Sequence, residues 1–170
     1  ISEGDHTDIV YYEVWNAAGT ECFISSSSPI SGGSLKLDLV LLKNNTYQVI
    51  FWAQTDMSAS PYSWKNLRQI DVDYAKFTES NKDCYDAFYA FEKITIDGEP
   101  KNIFLTRPFA QLNFGTKRNS TTIGKLSFTG NTVRVSDVAI SFDTVIGKSI
   151  LSNEPNPVVF TAGAGLVSGN

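Results

Sequence analysis

The segment YQVIFWAQ, residues 47–54, is apolar in both alternating registers around Ile50 to Trp52. Successive side chains of a strand point to opposite faces of a sheet, so this pattern predicts a strand that is covered on both sides. Such a strand belongs in the centre of a sheet. The preceding KNNT is typical of a hairpin turn, because asparagine tolerates the left-handed backbone angles that tight turns need.

A second pattern lies just before that turn. In SLKLDLVLL, residues 34–42, leucine occupies every other position from Leu35 to Leu41, and Lys36 and Asp38 lie between the first three leucines. This alternation predicts a half-buried antiparallel strand that pairs with residues 47–54 through the turn.

The N-terminal part of the chain predicts one further strand and a loop. In DIVYYEVWNAAG, residues 8–19, bulky residues alternate between two faces until Gly19 ends the pattern. Residues 25–34, SSSSPISGGS, combine small polar residues with proline and paired glycines, which favours an exposed loop.

The remaining chain is predicted to be mostly extended. Glycine and proline interrupt it at short intervals, and we expect about eight strands in an antiparallel β-sandwich. One short helix is predicted after the polar run ESNKD, residues 79–83, because Cys84, Phe88 and Phe91 follow at roughly helical spacing.

Composition excludes several functional classes. The 170 residues carry a formal net charge of -4, and the 14 Lys and Arg residues are scattered, so electrostatic binding to nucleic acid has no basic stripe to act through. No apolar run approaches the ~20 residues that a transmembrane helix requires. The length suits one domain with a substantial core.

The inventory of catalytic side chains is sparse. His6 is the only histidine and lies in the acidic run EGDHTD, so a histidine-dependent triad is not expected. Paired carboxylates such as Asp71 and Asp73 fit a solvated strand face, whereas Asp86 is expected either to cap the backbone or to pair with a basic residue. We therefore predict no enzyme activity and no cofactor.

Aromatic residues offer the best candidates for ligand contact. Trp52 lies in the doubly apolar strand and is assigned to the core. Tyr62 and Trp64 lie in an irregular, proline-containing segment, where they are predicted either to close one end of the sandwich or to contact a ligand such as a sugar.

Cys22 and Cys84 are the only cysteines. They lack the CxxC spacing and the histidines of a structural zinc site, so no metal is predicted. They are expected to be free and buried, or else joined in one disulfide.

Three motifs in order, NNTYQVIFWAQ (residues 44–54), YDAFYAF (85–91) and RPFAQLNFGT (107–116), resemble those of the fimbrillin-like surface proteins of Bacteroidetes. The similarity covers most of residues 9–145. It implies a transthyretin-like β-sandwich over residues 1–150, followed by a linker or the start of a second domain over residues 151–170.

The resemblance also implies location and partners. Fimbrillin-like proteins are exported as lipoproteins to the outer membrane or the fimbrium, and several polymerise by adding a strand of one subunit to the next. The expected partners are other fimbrial subunits or ligands on host or bacterial surfaces. Membrane contact is expected only through a lipid anchor outside this chain.

Two smaller predictions concern single residues. Asp143-Thr144-Val145 is similar to the short O-glycosylation motif of exported proteins in that phylum, so Thr144 is a candidate modification site. In RPFAQLNFGT, Pro108 lacks an amide donor and fits a bend in a strand, where Arg107 is expected to pair with a carboxylate or with loop carbonyls.

The sequence therefore predicts a non-catalytic structural or adhesive subunit of the cell surface that acts by strand exchange or protein contact. The alternative is a surface module that binds carbohydrate or another host ligand through Tyr62 and Trp64.

Overall fold

A computed structural model describes residues 7–77, 83–109, 131–151 and 158–162. These residues contain ten strands, and all the pairings between strands are antiparallel. The strands are β1 Ile9–Asn16, β2 Cys22–Pro29, β3 Thr46–Gln54, β4 Tyr62–Asn66, β5 Gln69–Val72, β6 Ala87–Thr95, β7 Asn131–Val135, β8 Ala139–Asp143, β9 Lys148–Leu151 and β10 Val158–Ala162.

Two four-stranded sheets form the body of the fold. The first sheet has the order β2-β1-β3-β6 and the second has the order β4-β5-β8-β9. One continuous core joins them, since Ile50 and Trp52 of β3 belong to the same buried cluster as Ile70 of β5 and Phe142 of β8. The prediction of an all-β antiparallel sandwich is confirmed.

The central position predicted for residues 47–54 is confirmed. β3 lies between β1 and β6, and its side chains are buried on both faces. Ile50 and Trp52 face the second sheet, whereas Tyr47 and Val49 form a separate cluster with Val14 on the opposite face. The first sheet therefore carries an apolar layer on each side.

The leucine-rich segment 34–42 covers that opposite face, although it is not a strand. Leu39 and Leu41 pack against the cluster of Val14, Tyr47 and Val49, which fits the predicted alternation of half-buried and exposed side chains. The predicted hairpin pairing with β3 is wrong. Both edges of β3 are already taken by β1 and β6, so this segment can contribute only its side chains to the face of the sheet.

The serine-rich loop predicted over residues 25–34 is wrong for its first half. Ser25 to Ser28 lie in β2 and pair with β1, with Tyr11 opposite Ser27 and Glu13 opposite Ser25. An edge strand leaves its side chains largely in water, so serine is tolerated there, and Pro29 ends the strand where its missing amide donor costs least.

The predicted short helix is also wrong. Asp83–Tyr85 forms a single 3-10 turn, and Phe88 and Phe91 lie in β6, opposite Ala53 and Ile50 of β3. The buried strand β3 has an edge that only β6 fills. Pairing with that edge stabilises the extended conformation more than the weak helical spacing stabilises a helix. No helix in the described ranges is long and apolar enough to cross a bilayer.

The last strand of the described residues lies beyond the predicted domain boundary at residue 150. β10 pairs antiparallel with β7, with Val158 opposite Val135 and Ala162 opposite Asn131. This pairing joins residues 158–162 to residues 131–135, and the predicted division into residues 1–150 and 151–170 stays a prediction.

Candidate functional site

A cavity of about 290 Å³ opens between the two sheets, beside the edge strands β2 and β4. We call it the serine cleft. Side chains of the first sheet form most of its wall, and Trp64 of β4 and the following Leu67 close it from the second sheet. The residues on which the argument depends are Tyr11, Glu13, Ser25, Ser27, Trp64 and Leu67.

The strand register explains how these groups meet. Tyr11 and Glu13 are two positions apart on β1, and they lie opposite Ser27 and Ser25 of β2. Directly paired residues of antiparallel strands point to the same face, so two hydroxyl groups flank one phenol and one carboxylate. Sequence alternation alone therefore creates a polar strip on the inner face of the first sheet.

Glu13 is the unusual member of this strip. Its side chain is only 4% exposed, and the indole Nε1 of Trp15 donates a 2.9 Å hydrogen bond to its Oε2 atom. Within the described residues no donor reaches Oε1, and no Lys or Arg nitrogen lies within ion-pairing distance of the carboxylate. A buried carboxylate without a cation is costly to a fold.

Arg68 contacts Trp15, but its side chain is hydrogen-bonded elsewhere. Its Nη1 donates a 3.0 Å hydrogen bond to Oε1 of Gln48, and its guanidinium lies over the ring of Trp15, 5.3 Å from the centroid. Trp15 thus separates the positive charge of Arg68 from the negative charge of Glu13.

The aromatic residues of the cleft contact each other. The rings of Tyr11 and Trp64 meet edge to face, with centroids 4.8 Å apart. Burial raises the pKa of Tyr11, and the charges of Asp56 and Asp8 raise it further. Because much of each ring is used in this contact, the wall of the cleft is mainly polar, with the Glu13 carboxylate and the serine hydroxyls as its functional groups.

Of the two aromatic residues predicted to contact a ligand, Trp64 lines the serine cleft and Tyr62 does not. Tyr62 is 8% exposed and packs edge to face against Trp52, with centroids 5.3 Å apart. Its hydroxyl donates a 2.6 Å hydrogen bond to the carbonyl of Tyr85. The structure therefore places Tyr62 in the core, where it cannot meet a ligand.

Thr144, the candidate glycosylation site, is completely buried at 0% exposure. Its Oγ1 donates a 2.7 Å hydrogen bond to the carbonyl of Leu67, and its amide donates to the carbonyl of Arg68. Both bonds tie the end of β8 to the turn between β4 and β5. The folded chain does not offer this hydroxyl to a modifying enzyme, so the predicted role is replaced by a structural one.

We expect Thr144→Val to lower the free energy of unfolding by about 1–3 kcal/mol, because the Leu67 carbonyl would lose its donor inside the core. Urea denaturation measures the change. Thr106→Val, at an exposed threonine, is the comparison, and an equal effect in the two variants would contradict the structural role of Thr144.

Both cysteines are free, but they are half-buried rather than buried as predicted, and the disulfide alternative is excluded. The Sγ of Cys22 lies 3.2 Å from the carbonyl of Ile24, and its pKa is raised by burial and, second, by the Glu13 carboxylate. No group of three or more His, Cys, Asp or Glu side chains in the described ranges is arranged to hold a metal ion.

Arg107 pairs with Asp86, which confirms the carboxylate alternative predicted for Arg107. Nη2 of Arg107 lies 2.8 Å from Oδ2 of Asp86, with both side chains largely buried, and the guanidinium also lies over Phe88. The adjacent Phe109 stacks on Tyr62 and meets Phe142 edge to face. These contacts anchor the start of RPFAQLNFGT to the core, while residues 110–116 lie outside the described residues.

A second, shallower depression of about 450 Å³ lies beside β6. Its charged residues include Asp97 and Lys101, which form an ion pair with each other, and hydrogen bonding to Lys101 lowers the pKa of Asp97. The opposite charges of Asp97 and Lys101 compensate each other. The serine cleft is the stronger candidate, because its carboxylate is left without a cation in the described part of the chain.

Sequence reasoning missed Glu13 and the serines as site residues. The signal was present in YYEVW, residues 11–15, where one acidic residue interrupts an otherwise apolar and aromatic strand. The serines could be placed beside it only once the register of β1 and β2 was known.

Comparison with known proteins gives one match. A family profile, described as a family of unknown function (DUF6562), matches residues 6–164. No curated protein and no solved structure matches the chain.

Proposed function

The chain belongs to DUF6562, a family of unknown function, and we propose that it is a non-catalytic structural or adhesive subunit of the bacterial cell surface. It acts through contacts with other proteins, either fimbrial subunits or molecules on a host or bacterial surface. The three motifs that resemble fimbrillin-like proteins support this proposal, and so does the single histidine of the sequence.

The exposed edge of the second sheet is the observation that carries the proposal. β9 pairs on one side with β8, and within the described residues no strand pairs with its other side. Ile150 and Leu151 of β9 are 44% and 51% exposed, and Ile140 and Ile146 are exposed on β8 and in the intervening turn. An apolar edge with free backbone groups is suited to strand addition or to packing against another protein.

We expect Ile150→Lys to weaken self-association or partner binding at least about tenfold, because a charged residue on an edge strand opposes edge-to-edge pairing. Sedimentation velocity over a range of concentrations measures self-association. Val40→Lys is the matched control, since it makes the same kind of change at an apolar residue that is almost fully exposed outside the strands.

Two results together would overturn the proposal. One is a purified chain that remains monomeric at all concentrations, and the other is a gene deletion that leaves surface fibres and cell attachment unchanged. Equal effects of Ile150→Lys and Val40→Lys would instead remove β9 as the contact edge.

A second candidate function is binding of carbohydrate or another host ligand. The position of Trp64 in the wall of the serine cleft favours it, because an indole beside hydroxyl and carboxylate groups can contact a sugar ring. Glycan-array binding that is lost in Trp64→Ala and retained in Phe23→Ala, at an exposed aromatic of β2, would support this function. Absence of binding to every glycan would count against it.

A further inference from the structure

We propose that the serine cleft binds a positively charged side chain, lysine or arginine, of a protein partner. The cleft combines one buried carboxylate, serine hydroxyls and two aromatic rings in a cavity of about 290 Å³. The identity of the natural partner rests on the proposed function, whereas binding of the cation does not.

The carboxylate of Glu13 is the first reason. It is 4% exposed, it receives one hydrogen bond from Trp15, and within the described chain it has no cation. A buried carboxylate is stabilised by an opposite charge more strongly than by a neutral hydroxyl, because hydrogen bonds between charged partners are the stronger kind. The group that best completes this site is therefore cationic.

The rest of the wall fits the same ligand. Ser25 and Ser27 carry hydroxyl oxygens that can accept the remaining N–H groups of an ammonium or guanidinium ion. Tyr11 and Trp64 lie beside them, and a cation near an aromatic ring gains additional attraction. The serine hydroxyls add acceptors for a cation without competing for Glu13, and the attraction from a ring acts over its face.

The size and position of the cleft suit a side chain. One water molecule occupies about 30 Å³ of liquid, so the cavity holds roughly ten waters or one long side chain. β2 is an edge strand of the first sheet, and it borders the opening. A partner that lies along β2 can insert a basic side chain between the two sheets.

Indole resonances in ¹H–¹⁵N NMR spectra provide the test. Nε1–H of Trp15 is bonded to Glu13, and Nε1–H of Trp52 is bonded to Gln54 in the core, so Trp15 reports on the site and Trp52 is an internal reference. The probe is n-butylammonium chloride, a mimic of the lysine side chain. The matched neutral probe is n-butanol, and methyl glucoside tests the sugar alternative.

We expect n-butylammonium to shift the Trp15 indole resonance in a saturable manner, while n-butanol and methyl glucoside do not. Affinity is expected to fall about tenfold or more in Glu13→Gln, which keeps an acceptor for Trp15 but loses the charge. Glu21→Gln, which removes an exposed acidic group, is the control and should bind like the unaltered chain.

Equal shifts with n-butylammonium and n-butanol, or no saturable shift with either, would overturn the proposal. So would a folded Glu13→Gln that retains full affinity, or a saturable shift with methyl glucoside alone. The comparison of probes on the unaltered protein needs no variant, so it decides the matter even where Glu13→Gln does not fold. Self-association of the chain is measured separately and is not affected by these outcomes.

Discussion

Trp52→Ala is expected to lower the free energy of unfolding by about 3–5 kcal/mol, the range observed for removal of a large buried aromatic side chain. Trp52 is fully buried in the middle of β3 and packs edge to face against Tyr62. Its indole N–H also donates a 2.9 Å hydrogen bond to the buried Gln54. The variant therefore loses apolar contacts and leaves both a cavity and an unpaired amide oxygen.

Chemical denaturation followed by far-ultraviolet circular dichroism measures this loss. Small domains have a total stability of about 5–15 kcal/mol, so the variant is expected to be partly unfolded at room temperature if the chain lies near the lower limit. Trp64→Ala is the matched control, because it makes the same change at a half-buried position. Similar losses in the two variants would contradict the central position assigned to β3.

The central strand was predictable because adjacent residues of β3 are apolar and are buried on opposite faces of the sheet. Ile50 and Trp52 pack towards the second sheet, and Val49 packs towards the leucine-rich segment, so both registers had to be apolar. For residues 34–42 the same reasoning predicted which side chains are buried but not their backbone pairing. Alternation is a property of one segment, whereas pairing depends on which other strands already occupy the sheet.

The error at β2 is the opposite one, because a loop was predicted there and the structure has a strand. Four consecutive serines have little intrinsic preference for a strand, and Pro29 follows them. They form a strand because β3 pairs with only one edge of β1 and the other edge is open to β2. Exposed serines also cost little free energy at the edge of a sheet. The strand therefore depends on tertiary structure and could not be predicted from local sequence. The serine cleft was missed for the same reason, since its hydroxyls lie on β2 and its carboxylate lies on β1.

Burial decides which of the predicted site residues can contact a ligand or a modifying enzyme. Trp64 lines the cleft, but Tyr62 and Thr144 lie in the core, where each donates a hydrogen bond to a backbone carbonyl. A tyrosine or threonine in a turn-rich segment looks exposed in sequence, since nothing local reveals that another segment covers it. A carboxylate partner for Arg107 was among the predictions, because a charged residue beside an apolar run needs a compensating group, but its identity as Asp86 depends on the fold. The resemblance to fimbrillin-like proteins stays a prediction.

Tyr62 leads to the second large effect, a loss of stability in alkaline solution. Burial raises the pKa of Tyr62 well above the ordinary value of about 10, and the charges of Asp86 and Tyr74 raise it further. Below pH ~10 the phenol is protonated in both the folded and the unfolded chain, so its contribution to stability is fully present. Above that pH the unfolded chain releases the proton while the folded chain retains it.

The folded state then binds more protons, and the free energy of unfolding falls by about 1.4 kcal/mol per pH unit from this group alone. Between pH 10 and pH 12 the expected loss is about 2–3 kcal/mol. Urea titrations at several pH values measure the slope, and absorbance at 295 nm counts the ionised tyrosines. One tyrosine should remain protonated until the chain unfolds.

Tyr62→Phe separates this effect from general alkaline damage. Loss of the hydrogen bond to the Tyr85 carbonyl should lower stability by about 1 kcal/mol at pH 8, yet the decline above pH ~10 should become shallower. It should not vanish, because burial also raises the pKa of Tyr74 and of Tyr11. An unchanged slope in Tyr62→Phe would mean that Tyr62 is not enclosed, and the packing of the second sheet against Trp52 would then have to be revised.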